Sequence, residues 1–250
     1  SAPCLLVLPP HQLIQLLPTL RTLVKSNVVL QVSTQATHCH SSVVALRDSG
    51  LVLLYSPDQS TALPNSQVAS TIAATGRAVL HFGEFSNEEL LMASSSEKSI
   101  ERTNGSNATI GSAFSSSTAT TSSYHGSATP SNLIIALGNT AALIPSLPSN
   151  SALISLNLYR PLSPAYIRAL VPAGVEKIVV LEQVAQSITK WAPLFLDVVG
   201  AFAESEDDQV TPVILSGILG RLDLTEGLAA NAAITRTFPR SFSVSIVIRH

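Results

Sequence analysis

Short apolar runs alternating with helical spacings set the pattern of the first third of the chain. Cys4 to Leu8, Val28 to Val32, Leu51 to Tyr55 and Ala78 to Phe82 are each almost unbroken apolar runs. Runs of that length read as strands buried on both faces. Between the first two, Leu13, Leu16, Leu17, Leu20 and Leu23 recur at helical spacing, and Pro18 is expected to kink or divide that helix. Ser41 to Gly50 predicts a helix closed by Gly50. Asn65 to Gly76 predicts another, capped by Asn65 or Ser66 and closed by Gly76. Strands and helices in this alternation predict a parallel, doubly wound sheet.

The pattern then stops. From Ala93 to Ser131, 19 of 39 residues are Ser or Thr, with almost no aliphatic periodicity. Such a segment buries too little apolar area to offset its ordering entropy, so a flexible linker or disordered insertion is expected.

A second α/β unit follows. Asn132 to Gly138, Ala152 to Tyr159, Glu176 to Glu182 and Val210 to Gly217 read as strands. Asn139 to Leu147 reads as a short helix. Ser163 to Val171 reads as a helix with Ser163 as N-cap and Pro164 at the first helical position. Ala192 to Ser205 reads as a helix whose apolar face is Leu194, Phe195, Val198, Val199 and Phe202. The tail after about residue 223 loses the pattern and ends in an apolar, strand-like run. The expected organisation is therefore an α/β unit over 1–92, a linker over 93–131, a second α/β unit over 132–222 and an atypical tail over 223–250.

Composition narrows the function more than the fold. Charged residues are 12% of the chain and the net charge is −2, which leaves no electrostatic footprint for nucleic acid or an anionic membrane. No run approaches the roughly 18 apolar residues of a membrane span. The opening residues lack a basic stretch and break at Pro9-Pro10, so they do not read as a signal peptide. A reducing, cytoplasmic setting is expected from two cysteines, Cys4 and Cys39, which cannot form a disulfide framework. The missing initiator Met and the immediate entry into a strand suggest a fragment.

Candidate chemistry is sparse. His38-Cys39-His40 invites a metal reading, yet adjacent side chains diverge and no second pair accompanies them, so a helix-start or surface cluster is the simpler account. His81 lies near the carboxyl end of a parallel strand, the edge at which α/β sheets bind ligands, and Glu84 follows it. A packed histidine bonded to its surroundings is the competing account. Asp197 is a lone acid on an apolar helix, expected to be exposed or locally capped. Glu204 to Asp208 reads as a solvated turn, and the sequons at Asn104 and Asn107 matter only in a secreted protein. Phosphate-binding glycine loops and the nucleophile-elbow motif are absent from the sequence.

The second unit resembles domain II of the pyruvate:ferredoxin oxidoreductases, a relative of the transketolase C-terminal domain. The residues that carry this are Arg160-Pro161-Leu162, Val171-Pro172, Val180-Leu181-Glu182 and the run Pro193 to Val198 with Asp197 inside it. Ser66 to Phe85 is similar to the end of the pyrimidine-binding unit of the same enzymes. Within that group, Leu147 to Leu162 and the Ser/Thr-rich junction are similar to the N-terminal region of fungal assimilatory sulfite reductases (NADPH). The haemoprotein beta subunit fits best and the flavoprotein alpha subunit second.

The resemblance implies two three-layer α/β units, thiamine-diphosphate-enzyme-like and transketolase C-terminal-like, joined by the linker. It implies a scaffold or docking portion of an enzyme of sulfate assimilation. Sirohaem and a [4Fe–4S] cluster would lie elsewhere in the parent enzyme, with FAD, FMN and NADPH on its partner. The expected partners are the remaining domains of the parent subunit and the other sulfite reductase subunit. Gln183 to Ala192 replaces the family's glycine-bearing turn, which should remove close backbone approach to a phosphorylated ligand. The chain alone is expected to be inactive. The alternative is a fragment of a thiamine-diphosphate-dependent 2-oxoacid:ferredoxin oxidoreductase using His81 and Glu84. A third reading is a truncated gene product.

Overall fold

The computed structural model of the protein describes residues 2–34, 40–90, 110–138, 147–183, 191–203 and 211–218. The chain divides into two compact units that are not consecutive in sequence. The first holds Ser1–Gln35, Ser42–Thr121 and Asn157–Pro161, and the second Ala36–Ser41, Ser122–Leu156 and Leu162–His250. Both are α/β with largely parallel sheets, as the alternating pattern predicts.

In the first unit the strands are β1 (Cys4–Val7), β2 (Val28–Ser33), β3 (Val52–Ser56), β4 (Val79–Gly83) and β8 (Leu158–Arg160). They are ordered β1-β2-β4-β3-β8, with β8 antiparallel to β3 and the other pairs parallel. Except for β1, whose residues are exposed, the parallel strands are closed to solvent on both faces, which explains their unbroken apolar runs. On one face Val29, Val52, Leu54 and Val79 pack with Val68, Ala69, Ile72 and Ala73 of helix α3 (Gln59–Ala73). Ala113 and Phe114 of helix α4 (Ile110–Ser115) join that cluster. On the other face Leu30, Val32, Leu53, Tyr55, Leu80 and Phe82 are buried, with the Tyr55 and Phe82 rings 5.3 Å apart.

Three helical expectations in this unit change. The leucine-rich segment around Pro18 forms a 3-10 helix (Pro10–Thr19) running into a short α1 (Leu20–Leu23), since Pro18 denies a continuous α-helical ladder. The helix expected up to Gly50 is only α2 (Ser41–Val44), although Gly50 does take a positive φ of 90°. Helix α3 begins at Gln59, not after Asn65. Its N-cap is Asp58, whose carboxylate accepts from Thr61 N–H at 2.9 Å while the Thr61 hydroxyl bonds back to the cap. Pro64 lies inside this helix without ending it.

In the second unit the strands are β5 (Ser122–Gly126), β6 (Asn132–Leu137), β7 (Ser151–Leu156), β9 (Lys177–Glu182) and β10 (Val213–Ile218). Their order is β10-β9-β6-β7-β5, with only β5 antiparallel. The chain leaves β6 towards β7 and then crosses back to β9, so direction reverses between β6 and β9. Helix α5 (Pro164–Leu170) has the expected start, with Ser163 as N-cap accepting from Tyr166 N–H and Pro164 at the first position. Helix α6 (Pro193–Ala203) follows β9.

Two boundaries differ from the sequence reading. The Ser/Thr-rich segment is structured over its described part, 110–131, where α4 packs through Phe114 and β5 pairs with β7. Backbone pairing along β5, with Ser122 opposite Leu156 and Gly126 opposite Ala152, supplies order that side-chain hydrophobicity does not. Ala152 to Tyr159 is two strands in two sheets, broken at Asn157. Asn157 N–H donates to Thr121 O, its Nδ2 donates to Thr120 O, and its carbonyl accepts from Tyr55 N–H. The Asn139–Leu147 helix, bar Leu147, the Glu204–Asp208 turn, the two sequons and the tail lie outside the described residues.

Candidate functional site

The carboxyl edge of the first sheet gathers most of the buried polar side chains of that unit. His81 on β4 is fully buried. Its Nε2 lies 2.8 Å from the Ser56 hydroxyl at the end of β3, and its ring stacks on Phe85 with centroids 4.7 Å apart. Asn65 of α3 donates from Nδ2 to Ser56 Oγ at 2.9 Å and to Tyr55 O at 3.0 Å. The residue expected to cap a helix therefore ties that helix to the end of β3. Gln31, opposite His81 on β2, is buried too and donates to Asn87 Oδ1 at 2.9 Å.

Gly83 ends β4 with φ of 150°, and a Cβ there would sit 2.0 Å from Ser56 O. Only glycine allows the two strand ends to approach so closely. The close approach lets Glu84 N–H donate to Ser56 O at 2.9 Å.

Electrostatics decide what this cluster can do. Burial pushes the His81 imidazole down to about 3, so it is neutral at physiological pH. A Ser–His pair at 2.8 Å has the spacing of a nucleophile and base, but neither Ser56 nor His81 is solvent-exposed. Burial also raises the Tyr55 phenol well above its usual value, and the charges of Glu84 and Asp58 add to that rise. Tyr55 lies on the opposite sheet face from Leu54 and Ser56. His81 belongs to the α3 face, whereas the electrostatic effect of Glu84 falls on Tyr55. His81 is thus a packed histidine, bonded to Ser56 and stacked on Phe85.

In the second unit the motif residues serve the helix after β9. Glu182 ends β9, fully buried, and Leu194 N–H donates to its Oε2 at 2.7 Å. Pro193 supplies the first residue of α6. At the other end of α6, Arg168 of α5 donates from Nη1 to Ala201 O at 2.5 Å. A carboxyl group at the N-terminus and a guanidinium at the C-terminus both complement the helix dipole. Asp197 is half-buried in the middle of α6. Arg160 and Pro161 belong to the first unit, where Arg160 stacks over the ring of Tyr159 at 4.3 Å and donates to Tyr159 O, next to a cis Arg160–Pro161 bond. Pro172 follows the C-cap of α5 at Val171.

Metal chemistry finds no donor set. Among the described residues no group of three His, Cys, Asp or Glu side chains is placed to hold an ion. His40 stands at a helix start, directly before α2, but is buried rather than on the surface, and its backbone N–H donates to Gln183 O at 2.6 Å. His38 and Cys39 lie outside the described residues. Cys4 is exposed on β1. Two cysteines in the whole chain do not fit the four thiolates of a [4Fe–4S] cluster. No helix among the described residues is long and apolar enough to cross a membrane.

The sequence reading missed Gln31, Ser56 and the role of Asn65. Its available signal was a polar residue towards the carboxyl end of three otherwise apolar strands: Gln31 and Ser33 on β2, Ser56 on β3 and His81 on β4.

No family model matches the chain. Subunit beta of the NADPH sulfite reductase of Saccharomyces cerevisiae is 28% identical over 188 residues, which cover 72% of this chain. The same match spans 13% of that protein's length. Among solved structures, a transketolase mutant from Pichia stipitis aligns with a TM-score of 0.50 at 12% identity, over 98% of this chain and 36% of its own. At that identity the second likeness is one of fold. The chain is thus similar in sequence to part of a sulfite reductase beta subunit and in fold to transketolase.

Proposed function

We propose that this chain is a non-catalytic scaffold or docking portion of an assimilatory sulfite reductase (NADPH) subunit of the beta type, acting in the cytoplasm. The observation that carries the reading is the match to yeast subunit beta over 72% of the chain. Two further observations favour a structural role. The Ser56–His81 pair is sealed in the core, and Glu182, Arg168 and Pro193 hold a helix in place. Electron transfer from NADPH to sulfite would rest on sirohaem, an iron–sulfur cluster and flavins held elsewhere in the parent enzyme. The partners would be the other domains of that subunit and the second sulfite reductase subunit.

The test uses the chain purified after expression with sirohaem synthesis and iron supplied. The expected product is colourless and shows no sulfite-reducing activity with reduced methyl viologen. A stoichiometric visible chromophore would overturn the reading. Titration with thiamine diphosphate and Mg²⁺ addresses the alternative 2-oxoacid oxidoreductase fragment. Binding tighter than about 100 μM, roughly −5.5 kcal/mol, would establish that alternative.

A further inference from the structure

The sheet face beneath α3 changes character along its strands. At the amino ends it is Val29, Val52 and Val79, packed on α3. Two residues further along β2 and β4 it becomes Gln31 and His81, and at the end of β3 Ser56. Side chains two apart share a face, so these polar groups continue the same rows.

Proton positions along the row follow from counting donors. Asn65 spends both Nδ2 hydrogens, one on Tyr55 O and one on Ser56 Oγ. Ser56 Oγ is therefore already an acceptor, and its own hydrogen has His81 Nε2 within 2.8 Å. The arrangement that gives this hydrogen an acceptor has Ser56 donating to Nε2, with the imidazole proton on Nδ1. On the other side, Gln31 Nε2 donates to Asn87 Oδ1, which leaves Gln31 Oε1 as an acceptor. His81 Nδ1 and Gln31 Oε1 are both buried and have no hydrogen-bond partner among the described residues. They belong to residues directly opposite one another on β4 and β2. Neighbouring strands are about 4.8 Å apart, a gap that a water between donor and acceptor can span.

We propose that Asn65, Ser56, His81, Gln31 and Asn87 form one directional hydrogen-bond chain across β3, β4 and β2, closed by a single internal water. That water accepts from His81 Nδ1–H and donates to Gln31 Oε1. The chain sets strand register. Parallel strands that are apolar on both faces specify register weakly, because a slipped strand still buries hydrocarbon. A slip of one residue here would move Gln31 or His81 to the opposite face and leave its partners unpaired in the core, at the full desolvation cost of each group.

Imidazole ¹⁵N–¹H correlation spectra of the whole chain test this. The expected His81 signature is the neutral Nδ1–H tautomer, with an exchange or Overhauser cross-peak to a long-lived water. A neutral Nε2–H tautomer overturns the chain's direction, and an Nδ1–H proton with no water cross-peak overturns the bridge. Gln31→Leu removes the terminal acceptor and should turn His81 over to the Nε2–H tautomer facing Ser56. A folded Gln31→Leu protein that keeps Nδ1–H would show that Gln31 does not hold the water. Should that variant fail to fold, the tautomer and cross-peak of the parent chain still decide the proposal.

Discussion

Glu182 and Leu194 are joined by a hydrogen bond of 2.7 Å from the Leu194 amide to a carboxyl oxygen that is closed to solvent. A helix start that is buried needs such an acceptor, because the first turn has no internal partner for its N–H groups. Glu182→Leu should cost about 1–3 kcal/mol, and Glu182→Gln, which keeps an acceptor oxygen, distinctly less. Urea unfolding followed through Trp191, the one tryptophan and a neighbour of α6, measures both. Equal losses for Leu and Gln would show that charge rather than the acceptor matters.

Gly83 and Gly174 separate steric need from backbone need. Both have positive φ, 150° and 84°, but a Cβ on Gly174 meets nothing within 4 Å whereas one on Gly83 would lie 2.0 Å from Ser56 O. Gly174→Ala should cost about 1–2 kcal/mol, the ordinary penalty of left-handed backbone. Gly83→Ala should cost clearly more and disturb the bond from Glu84 N–H to Ser56 O. Thermal denaturation of the two variants side by side gives the comparison.

The sign of the pH dependence follows from His81. Its ordinary value is 6.5 and burial lowers it to about 3. Above pH 6.5 neither state carries the proton and nothing is lost. As pH falls from 6.5 towards about 3, the unfolded chain binds a proton that the folded chain refuses, so stability declines. The slope approaches about 1.4 kcal/mol per pH unit in that window. Asp58 acts lower. Burial alone would raise its carboxyl, but bonds from Ser60 and Thr61 outweigh that and hold it below 3.8, so its contribution disappears only in stronger acid. Urea midpoints at pH 6 and pH 4.5 should fall for the parent chain and converge for His81→Leu.

The strands and their parallel arrangement were legible because apolar runs of five or six residues have few other uses. The start of α5 was legible for a similar reason, since Ser163 and Pro164 are both local signals. What stayed hidden depends on distant partners. Asn65 has the residue type of a cap, but it bonds instead to Tyr55 and Ser56 of β3, and the helix starts further back at the Asp58 cap. Asn157 splits an apparently continuous strand, and only its bonds to Thr120, Thr121 and Tyr55 explain where the break falls. His81 was singled out, but its neutrality and its enclosure come from burial that no spacing encodes. Glu182 was noted for its motif, and its task at the start of α6 becomes visible only in three dimensions.

The return of the chain to the first unit at Asn157–Pro161 has a consequence for synthesis. Strand β8 borders β3 but is translated after β5, β6 and β7 of the other unit. On a ribosome adding about 5–20 residues per second, the first sheet must wait several seconds between making β4 and receiving its last member. During that interval the far side of β3 offers a bare row of amides and carbonyls to any passing strand. A gene cut at Thr121 would make that nascent vulnerability permanent.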